Sequence, residues 1–207
     1  MVVAPTRDRR AERREATRAE ILDAAWALAR EGGLSGLSLR DVAARVGMRP
    51  PSLYWYFDSK HAIYDAMFAD GNRALLARLE GEWPTEPTAM LRRVARVFVE
   101  FSAEDPARSQ LLFQRTIPDF EPSPASYALA TEVFERGRAA LASIGVTALA
   151  DLDLWTALVT GLASQQITND PGGDRWVRLI DTAVDMYAAH VLPRRAPGTD
   201  RTSRRQR

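Results

Sequence analysis

Cysteine is absent from this 207-residue chain, which excludes disulfide frameworks, thiolate metal sites and cysteine nucleophiles. Histidine is scarce: His61 and His190 stand far apart in sequence, a poor basis for a zinc site, so no metal or cofactor is expected. No apolar run approaches the ~18 residues that span a bilayer. Met1-Val2-Val3-Ala4 leads into arginines rather than a secretory apolar core. The expectation is a cytoplasmic protein without a membrane segment. Phosphate-binding loops and nucleophile elbows are missing too. The suggestive carboxylate pairs are Asp151 with Asp153 and Asp181 with Asp185, and neither comes with a histidine or a Gly-rich loop. On a helix the first pair diverges and the second shares a face, where capping and solvated surface are sufficient roles. An enzyme is not expected.

What is present is the balance of an ordinary globular protein, 46% hydrophobic and 27% charged. The net charge of +1 hides a segregation. Residues 1–60 hold 11 basic and 8 acidic side chains, residues 193–207 hold 6 and 1, and residues 61–192 hold 11 and 18. Basic ends with an acidic body fit contact with a polyanion at the ends; solvated tails are the alternative.

Strand-like alternation is nearly absent, and helical spacing recurs between Gly and Pro breaks. The fold class is all-α, with about nine helices. Residues 1–16 read as a flexible basic arm. Thr17 and Glu20 fit a capping box opening the first helix, which Gly32-Gly33 ends. Later helices are expected at about 60–80, 87–102, after Asp105-Pro106, from Ser123-Pro124 to about 143, and near 149–168 and 174–192. The tail 193–207 reads as disordered.

Residues 37–60 are the most informative. Ser38 and Asp41 form a second capping box, and Leu37 can staple onto Val42. Leu39, Val42, Ala43 and Val46 make a narrow apolar face, and Gly47 supplies a left-handed stop. Pro50 and Pro51 fit the first turn of a following helix, where a missing N–H costs nothing. Two short helices joined by such a turn are a helix-turn-helix. Leu53 and Phe57, four apart, face inward. Pro51, Ser52, Tyr54, Trp55 and Tyr56 are left outside, and exposed aromatics imply a partner. A DNA major groove admits one helix, whose hydroxyls reach phosphates or base edges. The alternative for the aromatics, Trp55 above all, is packing on the helix that begins at Lys60.

The segment resembles the DNA-binding domain of the TetR family of bacterial repressors. The family pattern is met by Ser38, Val42-Ala43, Gly47, Leu53-Tyr54, Phe57 and Lys60, with Ile21, Ala25 and Gly33 matching upstream. The likeness covers about residues 15–65. It implies a three-helix DNA-binding domain at 17–62, followed by a larger helical ligand-binding and dimerisation domain at 63–192. It implies phosphate contacts by Ser38, Tyr54 and Lys60, and places Arg40, Pro50, Pro51, Ser52 and Tyr56 toward bases or sugars, with Trp55 beside them. Pro50 stands where the family often has a polar reader, and Tyr56 where histidine is common. Arg40 can bracket a guanine or pair with Asp41 or Asp23.

A single short recognition helix buries little surface, so a symmetric pair on a palindromic double-stranded DNA operator is expected. The resemblance implies a homodimer built by the last two helices, with Trp155, Leu158, Leu162, Trp176, Ile180 and Tyr187 as candidate interface residues. An intramolecular core explains the same residues. It also implies repression relieved by a small, mainly hydrophobic molecule among the central helices. Candidate contacts are Phe98, Phe113, Gln114, Tyr127, Trp155 and Gln166. The alternative is a DNA-binding regulator without a small-molecule inducer.

Overall fold

Helix caps and prolines divide the chain. The computed structural model describes residues 9–192, and the expected arm over residues 1–8 and tail from 193 lie outside them. Among the described residues the helices are α1 (Arg9–Gly36), α2 (Leu39–Arg45), α3 (Pro50–Leu53), α4 (Lys60–Arg78), α5 (Pro87–Glu104), α6 (Pro106–Phe113), α7 (Pro124–Ser143), α8 (Leu149–Asn169) and α9 (Ile180–Val191). A turn of 3-10 helix, Val177–Leu179, runs into α9, so the last helix starts later than the spacing predicts. No strand occurs among these residues.

Three of these starts, at Ser38, Asp105 and Ser123, follow the caps read from sequence, and a cap at Ser59 adds a fourth. Ser38 accepts from Asp41 N at 3.1 Å, Ser59 from Ala62 N at 3.0 Å, Asp105 from Arg108 N at 3.0 Å, and Ser123 from Ser126 N at 3.2 Å. Pro87, Pro106 and Pro124 each occupy a first helical turn. The expected start at Thr17 is corrected: α1 begins at Arg9, and the Thr17 hydroxyl donates back to Arg13 O at 3.0 Å inside the helix. The run Arg9–Ala16 is built of Arg, Ala and Glu, strong helix formers with no breaker among them. The break at Gly33, with φ 75°, falls where the sequence places it.

Two large apolar cores result, with a smaller one of Leu75, Leu79, Val97 and Phe101 joining α4 to α5. One joins α1–α4 through Ile21, Ala25, Val42, Leu53, Phe57 and Met67, with Leu111 from α6. The other joins α5, α7, α8 and α9 through Leu91, Val99, Leu141, Val159, Ile180 and Val184. Polar ties cross between the elements. Trp26 Nε1 donates to Asp70 at 2.9 Å, linking α1 to α4. Arg30 donates through Nε and Nη2 to Asp105 at 2.9 and 2.8 Å, linking α1 to the start of α6. The Asp65 carboxylate of α4 accepts from Ser123 N, Ser123 Oγ and Ser126 Oγ at 2.7, 3.0 and 2.9 Å, fastening the start of α7.

Tyr187 closes the second core. Its ring lies 5.0 Å from that of Trp155, and its hydroxyl donates to Asp151 O at 2.8 Å. Burial, reinforced by the Asp151 charge, pushes the phenol up to about 12. The fold therefore favours the neutral phenol, so this stabilisation is complete below the unfolded value of ~10 and is lost as pH rises through about 12. Melting temperature is expected to fall over that window, and Tyr187→Phe should flatten the fall. An unchanged slope in the variant would remove Tyr187 as the cause.

Candidate functional site

The recognition segment is held from beneath and left open above. Leu53 and Phe57 are buried in the first core. Gly47, at φ 69°, turns the chain out of α2, and the helical hydrogen bonding of α3 is continued by Tyr56 N and Phe57 N donating to Leu53 O at 2.9 and 3.0 Å. α3 is thus a single turn extended by tight turns. On its outer side Pro50, Pro51 and Ser52 are exposed, Tyr54 is 54% exposed and Trp55 is 81% exposed. Packing of Trp55 on α4 is thereby excluded. Tyr56 differs: it is half-buried and packs against the first core.

Arginines of α1 clamp the turn that follows. Arg18 Nη1 donates to Tyr56 O at 2.5 Å, with its guanidinium 4.2 Å from the centre of the Phe57 ring. Arg14 Nη2 donates to Trp55 O at 3.4 Å. These positioning residues escape a reading by local spacing, because they act across about forty residues of chain. The segregated basic charge of the first sixty residues is the signal that points toward them.

The other expected DNA contacts are placed as follows. Ser38 caps α2 and also donates to Asp41 Oδ2 at 2.5 Å. Arg40 is exposed and has no ion pair among the described residues, so neither Asp41 nor Asp23 holds it. Lys60 Nζ donates to Ser35 O at 3.2 Å and sits 5.4 Å from the centre of the Tyr64 ring, at the start of α4. The exposed side of this domain therefore carries hydroxyls, aromatic rings and cations together, the groups that meet phosphate and base edges in a groove.

A cavity of about 440 Å³ lies among α4, α5, α6, α7 and α8. Of the expected ligand contacts, Phe98, Phe113 and Trp155 line it. Gln114, Tyr127 and Gln166 do not. Gln114 caps the end of α6 in solvent and Tyr127 is exposed on α7. Gln166 is consumed by the loop after α8: Nε2 donates to Asp170 O and, at 3.1 Å, to Gly173 O, while Oε1 accepts from Trp176 N at 2.9 Å. A buried amide with this many backbone partners organises a loop. Asn72 and Arg138, which spacing does not single out, also line the cavity.

The expected dimer residues lie mainly in the subunit's own second core. Trp155, Leu162, Ile180 and Tyr187 are buried within the second core of the same subunit, and Leu158 and Trp176 are half-buried against it. The large apolar groups left outside on these elements are Leu149, Leu154, Leu179 and Met186, the first 74% and the last 71% exposed, with Ala157 and Gly161 on the outer side of α8. Of the carboxylates considered for catalysis, Asp181 pairs with Arg96 at 2.8 Å and Asp185 with Arg92, tying α9 to α5. Among the described residues no helix is long and apolar enough to cross a membrane.

Comparison with known proteins falls on the same segment. A family profile described as "Bacterial regulatory proteins, tetR family" matches residues 21–67. The tetracycline repressor protein class A from transposon 1721 of Escherichia coli is 36% identical over 67 residues. That match spans 30% of this chain and 31% of the repressor, about a third of its length. The fold is shared over more of the chain. The crystal structure of the TetR family transcriptional regulator PfmR from Thermus thermophilus aligns with TM-score 0.59 at 24% identity, covering 81% of this chain and 96% of that one. A TetR variant from Acinetobacter baumannii AYE, in complex with minocycline, aligns with TM-score 0.57 at 21% identity, covering 82% and 93%. The matched profile lies on the clamped helix-turn-helix, so the likeness to tetR-family bacterial regulatory proteins is one of residues 21–67 in sequence and of the wider helical fold in structure.

Proposed function

We propose that the protein is a transcriptional regulator, a repressor that binds a palindromic operator in double-stranded DNA as a homodimer and is released by a small, mainly hydrophobic molecule. The observation that carries DNA binding is the solvent-facing Tyr54 and Trp55 on a segment anchored by Leu53 and Phe57 and clamped by Arg18. Residues 17–62 serve as the DNA-binding domain and 63–192 as the effector and dimerisation domain, with the first turns of α4 packed into the core of the former. Footprinting on DNA flanking its own gene tests this. Two protected half-sites related by a dyad are expected; uniform, salt-sensitive coverage without a preferred site would reject an operator-reading role.

The cavity favours ligand gating over an unswitched regulator. α7 supplies Val133, Phe134 and Arg138 to the cavity and is fastened at its start to Asp65 of α4. α4 in turn shares a core with α2 and α3. A molecule that displaces α7 therefore pulls on the helix against which the recognition segment packs. It shifts the population only if it binds the DNA-incompetent arrangement more tightly.

Dimerisation is assigned to the outer side of α8 and α9, where Leu154, Ala157, Gly161 and Met186 are exposed. A Cβ added at Gly161 meets nothing within 4 Å, so Gly161→Arg fits the single subunit without strain. The variant is expected to sediment as a folded monomer where the parent is a dimer. A dimeric variant would move the interface elsewhere.

A further inference from the structure

The cavity has a polarity that its apolar walls conceal. Leu75, Val97, Leu141 and Val159 are buried wall residues, and buried Asn72 lies on the α4 side with its amide N–H donating to Phe68 O at 2.9 Å. On α7 and α8 the lining residues Arg138, Thr156 and Thr160 are exposed and make the cavity's solvent side. Both threonine hydroxyls donate within their own helix, to Leu152 O at 2.9 Å and to Thr156 O at 2.5 Å, so on that side they present acceptor and methyl surface. Arg138 is the one charged residue of the lining, and no carboxylate accompanies it there. Its Nε and Nη2 both donate to Glu135 Oε2, at 3.0 and 2.7 Å, and its Nη1 has no hydrogen bond among the described residues.

Resting on the ligand-gated reading above, we infer that the cavity takes a single-tailed amphipathic carboxylate, with its acid group at Arg138 and its tail among the apolar walls. A neutral hydrocarbon would gain from the walls and nothing from the guanidinium. An amphipathic cation would set like charge against Arg138, whose one acidic partner, Glu135, lies outside the lining. A carboxylate uses both: guanidinium has donors to spare after Glu135 is served, and a charge-assisted contact on the solvent side of the cavity is stronger than a neutral one. The solvent-exposed pair with Glu135 is the kind that contributes little and is readily shared.

Calorimetric titration of the full chain with dodecanoate, dodecanol and dodecyltrimethylammonium tests this. Dodecanoate is expected to bind about tenfold tighter than dodecanol, and the ammonium compound weakest. Arg138→Gln, at an exposed position, should erase the carboxylate's advantage while leaving dodecanol affinity unchanged, and Glu135→Gln should increase dodecanoate affinity. Equal binding of carboxylate and alcohol, persistence of the advantage in Arg138→Gln, or binding by none of the three overturns the inference. The ligand-gated reading fails on a different result: a compound that fills the cavity yet leaves DNA affinity unchanged.

Discussion

Tyr54→Ala is expected to lower operator affinity by about two orders of magnitude while moving Tm by no more than about 2 °C. The ring is 54% exposed and outside the core, so truncation falls within the range of ordinary surface substitutions, about 0.5 kcal/mol. On DNA the loss is doubled by symmetry. One hydroxyl or ring contact contributes about 1–2 kcal/mol, and a dimer loses it at both half-sites, which gives about 3 kcal/mol and the hundredfold change. Tyr54→Phe separates hydroxyl from ring: a phosphate hydrogen bond predicts most of the loss, and contact by the ring alone predicts little. A fall in Tm of many degrees in the alanine variant would put Tyr54 in the core and contradict the reading. Gel-shift titration with thermal melting measures both quantities.

Asp105→Ala carries the largest expected change in stability, about 3 kcal/mol, or a fall in Tm of about 6–10 °C. The carboxylate does two jobs. Oδ1 accepts from Arg108 N and caps α6, and Oδ2 accepts from Arg30 Nε and Nη2, tying α6 to α1. A lost cap costs about 1 kcal/mol, and charge-assisted hydrogen bonds at a buried acceptor contribute about 2 more after allowance for the half-exposed Arg30. Asp105→Asn preserves the capping oxygen and removes the charge, so it should lose roughly half as much. A variant pair with equal Tm would mean that the tie to Arg30 contributes nothing measurable. The tie also joins the DNA-binding domain to a helix lining the cavity, so its loss is expected to alter operator affinity without touching a DNA-facing residue.

Helix starts were legible because they are written within four residues: Ser38 with Asp41, Asp105 with Pro106, Ser123 with Pro124. The helix-turn-helix was legible for the same reason, its inward pair Leu53 and Phe57 and its turn Gly47 being local features. The faces of α8 were not. Leu152, Leu154, Trp155, Leu158, Val159 and Leu162 distribute apolar groups around much of the helix, so spacing does not say which side meets the subunit's own core. Trp155, Val159 and Leu162 were taken inward, to α5 and α9, leaving Leu154 outside with the smaller Ala157 and Gly161. The engagement of Gln166 with the α8–α9 loop was hidden because it depends on a turn that spacing does not reveal. The clamps by Arg14, Arg18 and Asp65 were equally hidden, since each joins segments that only the tertiary fold brings together.

The central claim is that the outer side of the α3 segment enters a DNA groove. Because the chain has no cysteine, Trp55→Cys installs one thiol per subunit, to which a DNA-cleaving iron chelate can be attached. Bound to operator DNA, the tagged protein should cut at two clusters related by the dyad, spaced by about 34 Å or a multiple of it. The same tag at Thr182→Cys, exposed on α9 among the second core's helices, should leave the DNA intact. Cleavage from position 182, or none from position 55 at saturating occupancy, would contradict the account.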